Sequence, residues 1–176
     1  DSKAFLVTFV FYLAYFFLAL PSSWILEKTG MKKGMAIGLI TMAIGTFLFA
    51  HFTTQRNYNL SLVGLFIVGS GMSLLQTASN PYVSIIGPME SAAKRISIMG
   101  ICNKTAGMLA PLIFGALILK DVDKFESNVK SAPDEATREQ LFNQFASSIY
   151  TPYLIMAILL FIFAIWITRS ALPEIK

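Results

Sequence analysis

The stretch from Leu74 to Pro88, LLQTASNPYVSIIGP, places amides and a proline inside a segment that is otherwise apolar. Gln76 and Asn80 are four residues apart, so on a helix they share one face. A buried amide is costly unless it finds a hydrogen-bond partner, and Pro81 removes one helical hydrogen bond and kinks the helix. We therefore expect a bent helix with a polar face, whose partner is either a neighbouring helix or a bound molecule.

The whole chain is apolar enough for a membrane protein. Hydrophobic residues make up 55% and charged residues 14% of the sequence, and its mean hydropathy is +0.63, whereas about a quarter of a soluble domain is charged. A membrane-spanning helix needs about 20 predominantly apolar residues. The apolar runs are continuous rather than alternating, which predicts an all-α polytopic helical bundle and not a β-barrel. Five segments meet that length: 4–26, 34–53, 59–86, 96–119 and 149–168.

The positions of the basic residues predict an orientation in the membrane. The net charge is +4, but Lys and Arg lie scattered at the predicted helix ends, which favours a topological role over nucleic-acid binding. The connections after the first and third spans and the segment after the fifth fall on one side, which the short-loop charges assign to the cytoplasm. Residues 120–148, with four basic and six acidic residues, then form an extracellular segment. A bacterial inner membrane is the expected location.

The extracellular segment contains one helix-start signal. In SAPDE, residues 131–135, Ser131 is the expected N-cap, followed by a proline and two acids in the first turn. Leu141, Phe142 and Phe145 would form an apolar face on this helix. We expect a surface helix that covers the ends of the membrane spans.

The sequence lacks the residue sets that enzymes and metal sites require. Cys102 is the only cysteine and His51 the only histidine, so we expect no disulfide within the chain and no metal site. The spans hold no paired carboxylates and no Ser–His set, so we expect no enzymatic activity and no cofactor. A span begins almost immediately after Asp1, and we expect the chain to be a piece of a longer protein.

The first short connection combines an acid, a glycine and several lysines. SWILEKTGMKKG, residues 23–34, contains Glu27 and Lys28, then Gly30, then Lys32. Glycine permits a turn with positive φ, and the acid can reach a neighbouring helix end or a basic residue. This spacing resembles the loop between the second and third helices of the major facilitator superfamily.

The resemblance of this loop sets a register for the spans. Ser23 stands where that motif usually starts with glycine, and Met31 interrupts its basic pair. A tight basic loop that follows the topology rule is the alternative explanation. With the resemblance, the five spans match helices two to six of twelve, in a partial N-terminal six-helix domain that covers residues 1–176. The first helix and the C-terminal half of the transporter are then absent from this chain.

The next span supplies polar residues of its own. In RISIMGICNKTAGMLAP, residues 95–111, Asn103 and Lys104 lie roughly two turns in, on the order of 12 Å from the cytoplasmic end of the span. Lys104 is the one charged residue deep inside a predicted span, and such a group is expensive enough to make function the default hypothesis. Snorkelling to the interface, or pairing with helix-end carbonyls, is the alternative.

The two polar stretches together resemble the fucose permease and glucose/galactose transporter family of the major facilitator superfamily. The shared pattern is an acid or amide, Thr-Ala, Asn-Pro, an aromatic, Gly-Pro, an Arg and an intramembrane Asn. The resemblance implies that Gln76 occupies the position of a glutamate implicated in proton coupling in fucose permeases, and that Asn103 keeps a sugar-binding amide. Gly100 replaces a family glutamine, and Lys104 stands where a small polar residue is usual, so the site is remodelled.

The resemblance implies a secondary active transporter that takes up a hexose such as glucose or galactose by cation-coupled symport with alternating access. Amides match the donor and acceptor roles of sugar hydroxyls, which makes Gln76, Asn80 and Asn103, with Lys104, the expected substrate-binding residues. The coupling ion, proton or sodium, stays open. The expected partners are the sugar, membrane lipid and the remaining helices of the same transporter, and not nucleic acid.

The substrate, the activity and the role of the helix-shaping residues each have an alternative. The substrate could be N-acetylglucosamine or fucose, and Gly100 leaves space for an acetamido group. The protein could be a membrane sugar sensor or a subunit that does not transport. Pro81, Gly107 and Pro111 are expected to shape the moving helices, with helix packing alone as the simpler explanation.

Overall fold

The computed structural model describes residues 2–118 and 122–175, and these residues form a helical bundle without strands. Five of the described helices are long and apolar enough to cross a membrane, which confirms the predicted all-α membrane fold. The remaining helix is short and polar. The helices are α1 (Ser2–Thr29), α2 (Met31–Thr54), α3 (Tyr58–Ile85), α4 (Ala92–Ile118), α5 (Val122–Lys130) and α6 (Glu135–Arg169), with a 3₁₀ turn at Met89–Ser91.

The turns between the first three helices are short and chemically specified. Gly30 alone separates α1 from α2 and has a φ of 84°, so the predicted positive-φ turn is confirmed. Between α2 and α3, Arg56 also has a positive φ of 54°. Asn57 then caps α3, because its side chain accepts a hydrogen bond of 3.2 Å from the backbone of Leu60. These turns return the chain antiparallel to itself.

Helices α2 and α3 pack backbone against backbone through glycines. A Cβ atom added at Gly38 would lie 2.9 Å from the carbonyl oxygen of Gly71, and one added at Gly71 would lie 2.6 Å from that of Gly38. Two helical turns further along, a Cβ at Gly45 would lie 2.6 Å from the backbone nitrogen of Val68. A Cβ at Gly64 would lie 2.7 Å from the backbone nitrogen of Phe49. Small residues at such a contact let helices approach closely in a bilayer.

Helix α1 packs on the other side of α3. A Cβ at Gly69 would lie 2.8 Å from the carbonyl oxygen of Phe11, and Ala14 is completely buried at the same level. Ser73, also buried, donates a hydrogen bond of 3.2 Å to the backbone carbonyl of Tyr15. Helix α3 is therefore clamped between α1 and α2.

Arg95 closes the connection between α3 and α4. Its guanidinium donates to the carbonyl oxygens of Val83 and Ser84, at 2.9 and 2.8 Å, which are among the last carbonyls of α3. It also donates to carbonyls in the connection itself and to the hydroxyl of Ser91. The planar five-donor group suits this convergence of acceptors, which a lysine ammonium would not satisfy.

Residues 170–175 fold across one end of the bundle, which also holds the α1–α2 turn and the α3–α4 connection; we call it the basic end. The backbone nitrogen of Met31 donates to the carbonyl of Ile175 at 2.7 Å, and the Tyr82 hydroxyl donates to the carbonyl of Pro173 at 2.9 Å. Leu172 and Ile175 pack against the buried cluster that includes Leu26 and Tyr82. The three segments that were predicted to share one side therefore do so.

At the other end, the start of α6 differs from the prediction. The N-cap is Asp134 and not Ser131. The hydroxyl of Ser131 instead donates to the carbonyl of Ser127, in the last turn of α5. Hydrogen bonds from Thr137 hold the pKa of the Asp134 carboxyl below its usual range. From this cap α6 runs without a break to Arg169, so the surface helix predicted to begin at Ser131 is instead the first part of the fifth span itself. The separate short helix in this segment is α5, which ends at Lys130.

The predicted apolar face at the start of α6 packs against α5. The ring of Phe125 lies 5.5 Å from that of Phe142 and 4.5 Å from that of Phe145, measured between centroids. Arg56, in the α2–α3 turn, reaches Glu139 at 3.4 Å across this end of the bundle. These contacts hold the polar beginning of α6 beside the α2–α3 turn.

We expect Gly71→Ala to destabilise the bundle by about 1–3 kcal/mol, because the new methyl group would meet backbone atoms that cannot rotate away. The measurement is the thermal unfolding midpoint of the detergent-solubilised protein. Val63→Ala is the matched control, since Val63 lies on the same helix with its side chain half-exposed. Equal midpoints for the two variants would contradict the close contact of α2 and α3.

We expect Arg95→Lys to lower the unfolding free energy by about 2 kcal/mol, because an ammonium group leaves several helix-end carbonyls without a donor. Lys94→Ala is the control, since the neighbouring side chain is exposed. Limited proteolysis between residues 86 and 91 provides a second readout, with faster cleavage expected for Arg95→Lys. Unchanged cleavage and stability would show that Arg95 does not hold this connection.

Candidate functional site

Gln76 is the predicted site residue for which the structure shows a side-chain partner. The hydroxyl of Tyr15, on α1, donates a hydrogen bond of 2.8 Å to Oε1 of Gln76. Both side chains are half-buried at the contact between α1 and α3. The amide oxygen is therefore bound by a neighbouring helix, α1. The Nε2 group has no acceptor among the described residues.

Asn80 and Pro81 lie one turn closer to the basic end. Both are exposed, and the side chain of Asn80 makes no hydrogen bond to a described residue. Helix α3 continues through Pro81 to Ile85. The hydroxyl of Ser84 donates to the carbonyl of Pro81 at 2.6 Å, which satisfies one backbone acceptor in the last turn. The polar face predicted for this stretch is thus continuous from Gln76 to the helix end.

Asn103 and Lys104 lie in a part of α4 that the described chain leaves exposed on every side. All residues from 101 to 110 are exposed, and nothing lies within 4 Å of a Cβ built at Gly100 or Gly107. Helix α4 continues through Pro111 to Ile118. The side chains of Asn103 and Lys104 make no hydrogen bond or ion pair within the described chain. No hydrogen bond joins them to the side chains of Gln76 or Asn80.

Gln76 and Asn103 nevertheless lie at matching depth. Gln76 is nine residues before the last residue of α3, about 14 Å from the basic end. Asn103 is eleven residues after the first residue of α4, about 16 Å from the same end. Asn103 is deeper than the sequence predicted, because α4 begins at Ala92, four residues before the predicted boundary. Both amides therefore lie about 15 Å from the basic end, which is about half the thickness of the hydrocarbon core.

The loop-motif residues contact the basic end of the bundle. The ammonium of Lys28 lies 3.7 Å above the ring of Trp24, and that of Lys32 donates to the carbonyl of Ser170 at 2.8 Å. Glu27 is exposed and makes no hydrogen bond or ion pair within the described residues. The helix end that it was expected to reach is instead bound by Glu174, which accepts a hydrogen bond of 2.9 Å from the backbone nitrogen of Lys32.

Gly30 makes room for this contact. A Cβ added at Gly30 would collide with the carboxylate of Glu174, in addition to the strain of its positive φ. The positive φ therefore favours glycine at this position, and a larger residue would also displace the Glu174 carboxylate.

Sequence reasoning missed Tyr15 and Glu174. Tyr15 belongs to an aromatic-rich stretch, FVFYLAYFF at 9–17. The spacing of the aromatic residues there does not indicate which tyrosine hydroxyl turns toward α3. Glu174 lies in a polar terminal segment whose return to the bundle has no local signal. Both residues act over long sequence separations, 61 residues for Tyr15 and Gln76 and 142 for Lys32 and Glu174.

A cavity of about 290 Å³ lies away from the predicted site. It opens between α1, α2 and α3 near the α2–α3 turn, and its lining is apolar apart from a few groups that include Thr53, Arg56 and Ser61. None of the four predicted substrate-binding residues lines it. Within the ranges 2–118 and 122–175, no three His, Cys, Asp or Glu side chains lie close enough to hold a metal ion.

Comparison with known proteins gives the same family over the whole chain. The Major Facilitator Superfamily model matches residues 2–175. A glucose/galactose transporter of Brucella abortus is 33% identical over 175 residues, covering 99% of this chain and 39% of that protein. An L-fucose-proton symporter of Escherichia coli is 30% identical over 176 residues, covering 99% and 40%.

A solved structure agrees with these sequence relationships. The crystal structure of the Major Facilitator Superfamily transporter FucP in the outward conformation superposes with a TM-score of 0.86 at 29% identity, covering 99% of this chain and 42% of that one. The chain thus spans about two fifths of the length of the relatives it matches. The resemblance inferred from the two polar stretches is confirmed, and the chain belongs to the Major Facilitator Superfamily.

Proposed function

We propose that this chain is part of a secondary active transporter that takes up a hexose, such as glucose or galactose, by cation-coupled symport. Its relatives include proteins named as glucose/galactose transporters and as L-fucose-proton symporters, which supports a sugar as the substrate. In this proposal the five spans are helices two to six of twelve, within the N-terminal domain of the full transporter.

The observation that carries the proposal is the pair of amides at matching depth on two neighbouring helices. Gln76 and Asn103 each lie about 15 Å inside an apolar span, where a polar side chain without function is costly. An amide offers both donors and acceptors, which is the chemistry that a sugar hydroxyl requires. Asn80 extends the polar face by one turn, and Lys104 adds an ionisable group beside Asn103.

The lysine inside the α4 span supports a water-filled or protein-lined path beside these residues. A lysine in a span faces a bundle interior or an aqueous cavity rather than lipid. Transporters of this kind bind substrate near the bilayer midplane, between two halves that rock to expose the site alternately. The proposal places Asn103 and Lys104 on that path, with Pro81, Gly107 and Pro111 in the helices that shape it.

The proposed location is the inner membrane of a bacterium, with the basic end in the cytoplasm. The α1–α2 turn and the α3–α4 connection at this end carry lysines and an arginine in short segments, which is the pattern of cytoplasmic loops. The first relatives come from bacteria. Accessibility of Lys33 to an impermeant amine reagent in oriented vesicles would test this orientation.

We expect Gln76→Ala and Asn103→Ala in the full-length transporter to raise the KM for hexose uptake about threefold to tenfold each, because each removes hydrogen bonds to the sugar. The measurement is initial uptake of labelled glucose and galactose into proteoliposomes. Asn59→Ala is the matched control, an exposed amide at the start of the same helix as Gln76. Two correctly folded variants that transport at native speed would refute the assignment of the site.

We expect uptake to rise when a proton or a sodium gradient is imposed, because symport draws its energy from one of them. Varying pH and sodium separately identifies the ion, and uptake that responds to neither would reject symport. Competition by N-acetylglucosamine and fucose against labelled glucose ranks the substrates. A protein that binds sugar but moves none would instead be a sensor.

A further inference from the structure

We propose that Tyr15 is a positioning residue that fixes the orientation of the Gln76 amide, so that Gln76 donates hydrogen bonds to the transported sugar rather than accepting them. This inference rests on the proposed function, because it concerns how that site recognises its substrate. It assigns a role to a residue of α1 that the sequence did not mark.

The hydrogen bond between the two side chains determines which end of the amide is free. The Tyr15 hydroxyl donates to Oε1 of Gln76 at 2.8 Å, within the usual range for a strong hydrogen bond between these groups. An amide group carries an oxygen acceptor at one end and a two-hydrogen donor at the other. With the oxygen held by Tyr15, the Nε2 group is the end that remains without a partner in the described chain.

The backbone beneath Tyr15 is held tightly, so the hydroxyl is a fixed reference point. Ser73 donates to the carbonyl oxygen of Tyr15 itself, at 3.2 Å, and Ala14 beside it is completely buried. Gly69 brings the two backbones close enough that an added methyl group would lie 3.1 Å from the Cβ of Ala14. The contact between α1 and α3 thus positions the Tyr15 ring directly against Gln76.

A fixed amide has a consequence for ion coupling. A cation needs oxygen ligands, and the oxygen of Gln76 already faces the positive end of the Tyr15 O–H dipole. The two free hydrogens of Nε2 repel a cation and attract the lone pairs of a sugar hydroxyl. With one lone pair occupied and two donor hydrogens free, Gln76 suits a sugar hydroxyl better than a cation, and we assign it to sugar recognition.

The first experiment compares Tyr15→Phe with Tyr12→Phe in the full-length transporter. Tyr12 is the matched control, because its side chain is exposed on the same helix and has no hydrogen bond within the described residues. We expect Tyr15→Phe to raise the KM for the sugar about twofold to tenfold with little change in maximal rate, since the amide loses its orientation but not its chemistry. Tyr12→Phe should match the wild type.

The second experiment tests the donor role with sugar analogues. A fluoro sugar keeps an acceptor at the substituted position but cannot donate, whereas a deoxy sugar can do neither. In the wild type, at the position that Gln76 contacts, the fluoro analogue should compete better than the deoxy analogue. In Tyr15→Phe this advantage should shrink, because the amide can turn its oxygen to the sugar.

Gln76→Glu gives a test that does not depend on removing the tyrosine hydroxyl. A glutamate still accepts from Tyr15, so the contact between α1 and α3 is kept, but its ionised form has no donor to offer. Equilibrium binding of the sugar, measured without any ion gradient and relative to wild type, should therefore weaken as pH rises and recover at acidic pH, where the protonated carboxyl regains one donor. A purely structural Tyr15–Gln76 contact would show no such profile.

The outcomes separate the two proposals. If the wild type moves no hexose under any gradient, the proposed function fails, and this inference fails with it. If the wild type transports hexose while Tyr15→Phe keeps the native KM and analogue preference, the positioning role alone is overturned. Should Tyr15→Phe fold poorly, a flat relative pH profile for Gln76→Glu would overturn the donor role by itself.

Discussion

The close approach of α2 and α3 is the contact on which the arrangement of this chain depends. Gly38 and Gly71 face each other so closely that neither position accommodates a methyl group without moving backbone. In a bilayer the hydrophobic effect does not drive helices together, so small residues and their van der Waals contacts supply much of the attraction. Because α3 is fixed against α2 on one side and α1 on the other, the amide of Gln76 is held at one position within the bundle.

Polar groups in the spans fall into two groups with different physical roles. Most hydroxyls bond to a carbonyl of their own helix, as Thr77 does with Ser73 and Thr41 does with Ile37, and these satisfy themselves locally. An amide side chain carries two N–H donors as well as an acceptor, more than the carbonyls of its own helix satisfy. Gln76 uses only its oxygen, and Asn103 uses neither end within the described chain. The unused donors, rather than polarity as such, distinguish the residues that we assign to substrate.

The sequence contained most of the fold but only part of the site. Five apolar segments and the turn at Gly30 follow from local composition, and the structure confirms them. The start of α6 was misplaced because Ser131 and Asp134 are both good caps three residues apart, and only packing chooses between them. Tyr15 and Glu174 were missed because their partners lie far away in sequence, where periodicity carries no information.

Lys104 constrains how the proposed symport can be coupled. Within the described residues no carboxylate lies within ion-pair distance of it, and the one acid position implied by the family resemblance is the neutral Gln76. A lysine in hydrocarbon is costly without a counter-charge or water. The compensating group must therefore come from a part of the transporter outside these spans, or from solvent in the path. In the function that we propose, the amides described here recognise the sugar, and the group that binds the coupling ion, proton or sodium, lies outside these five spans.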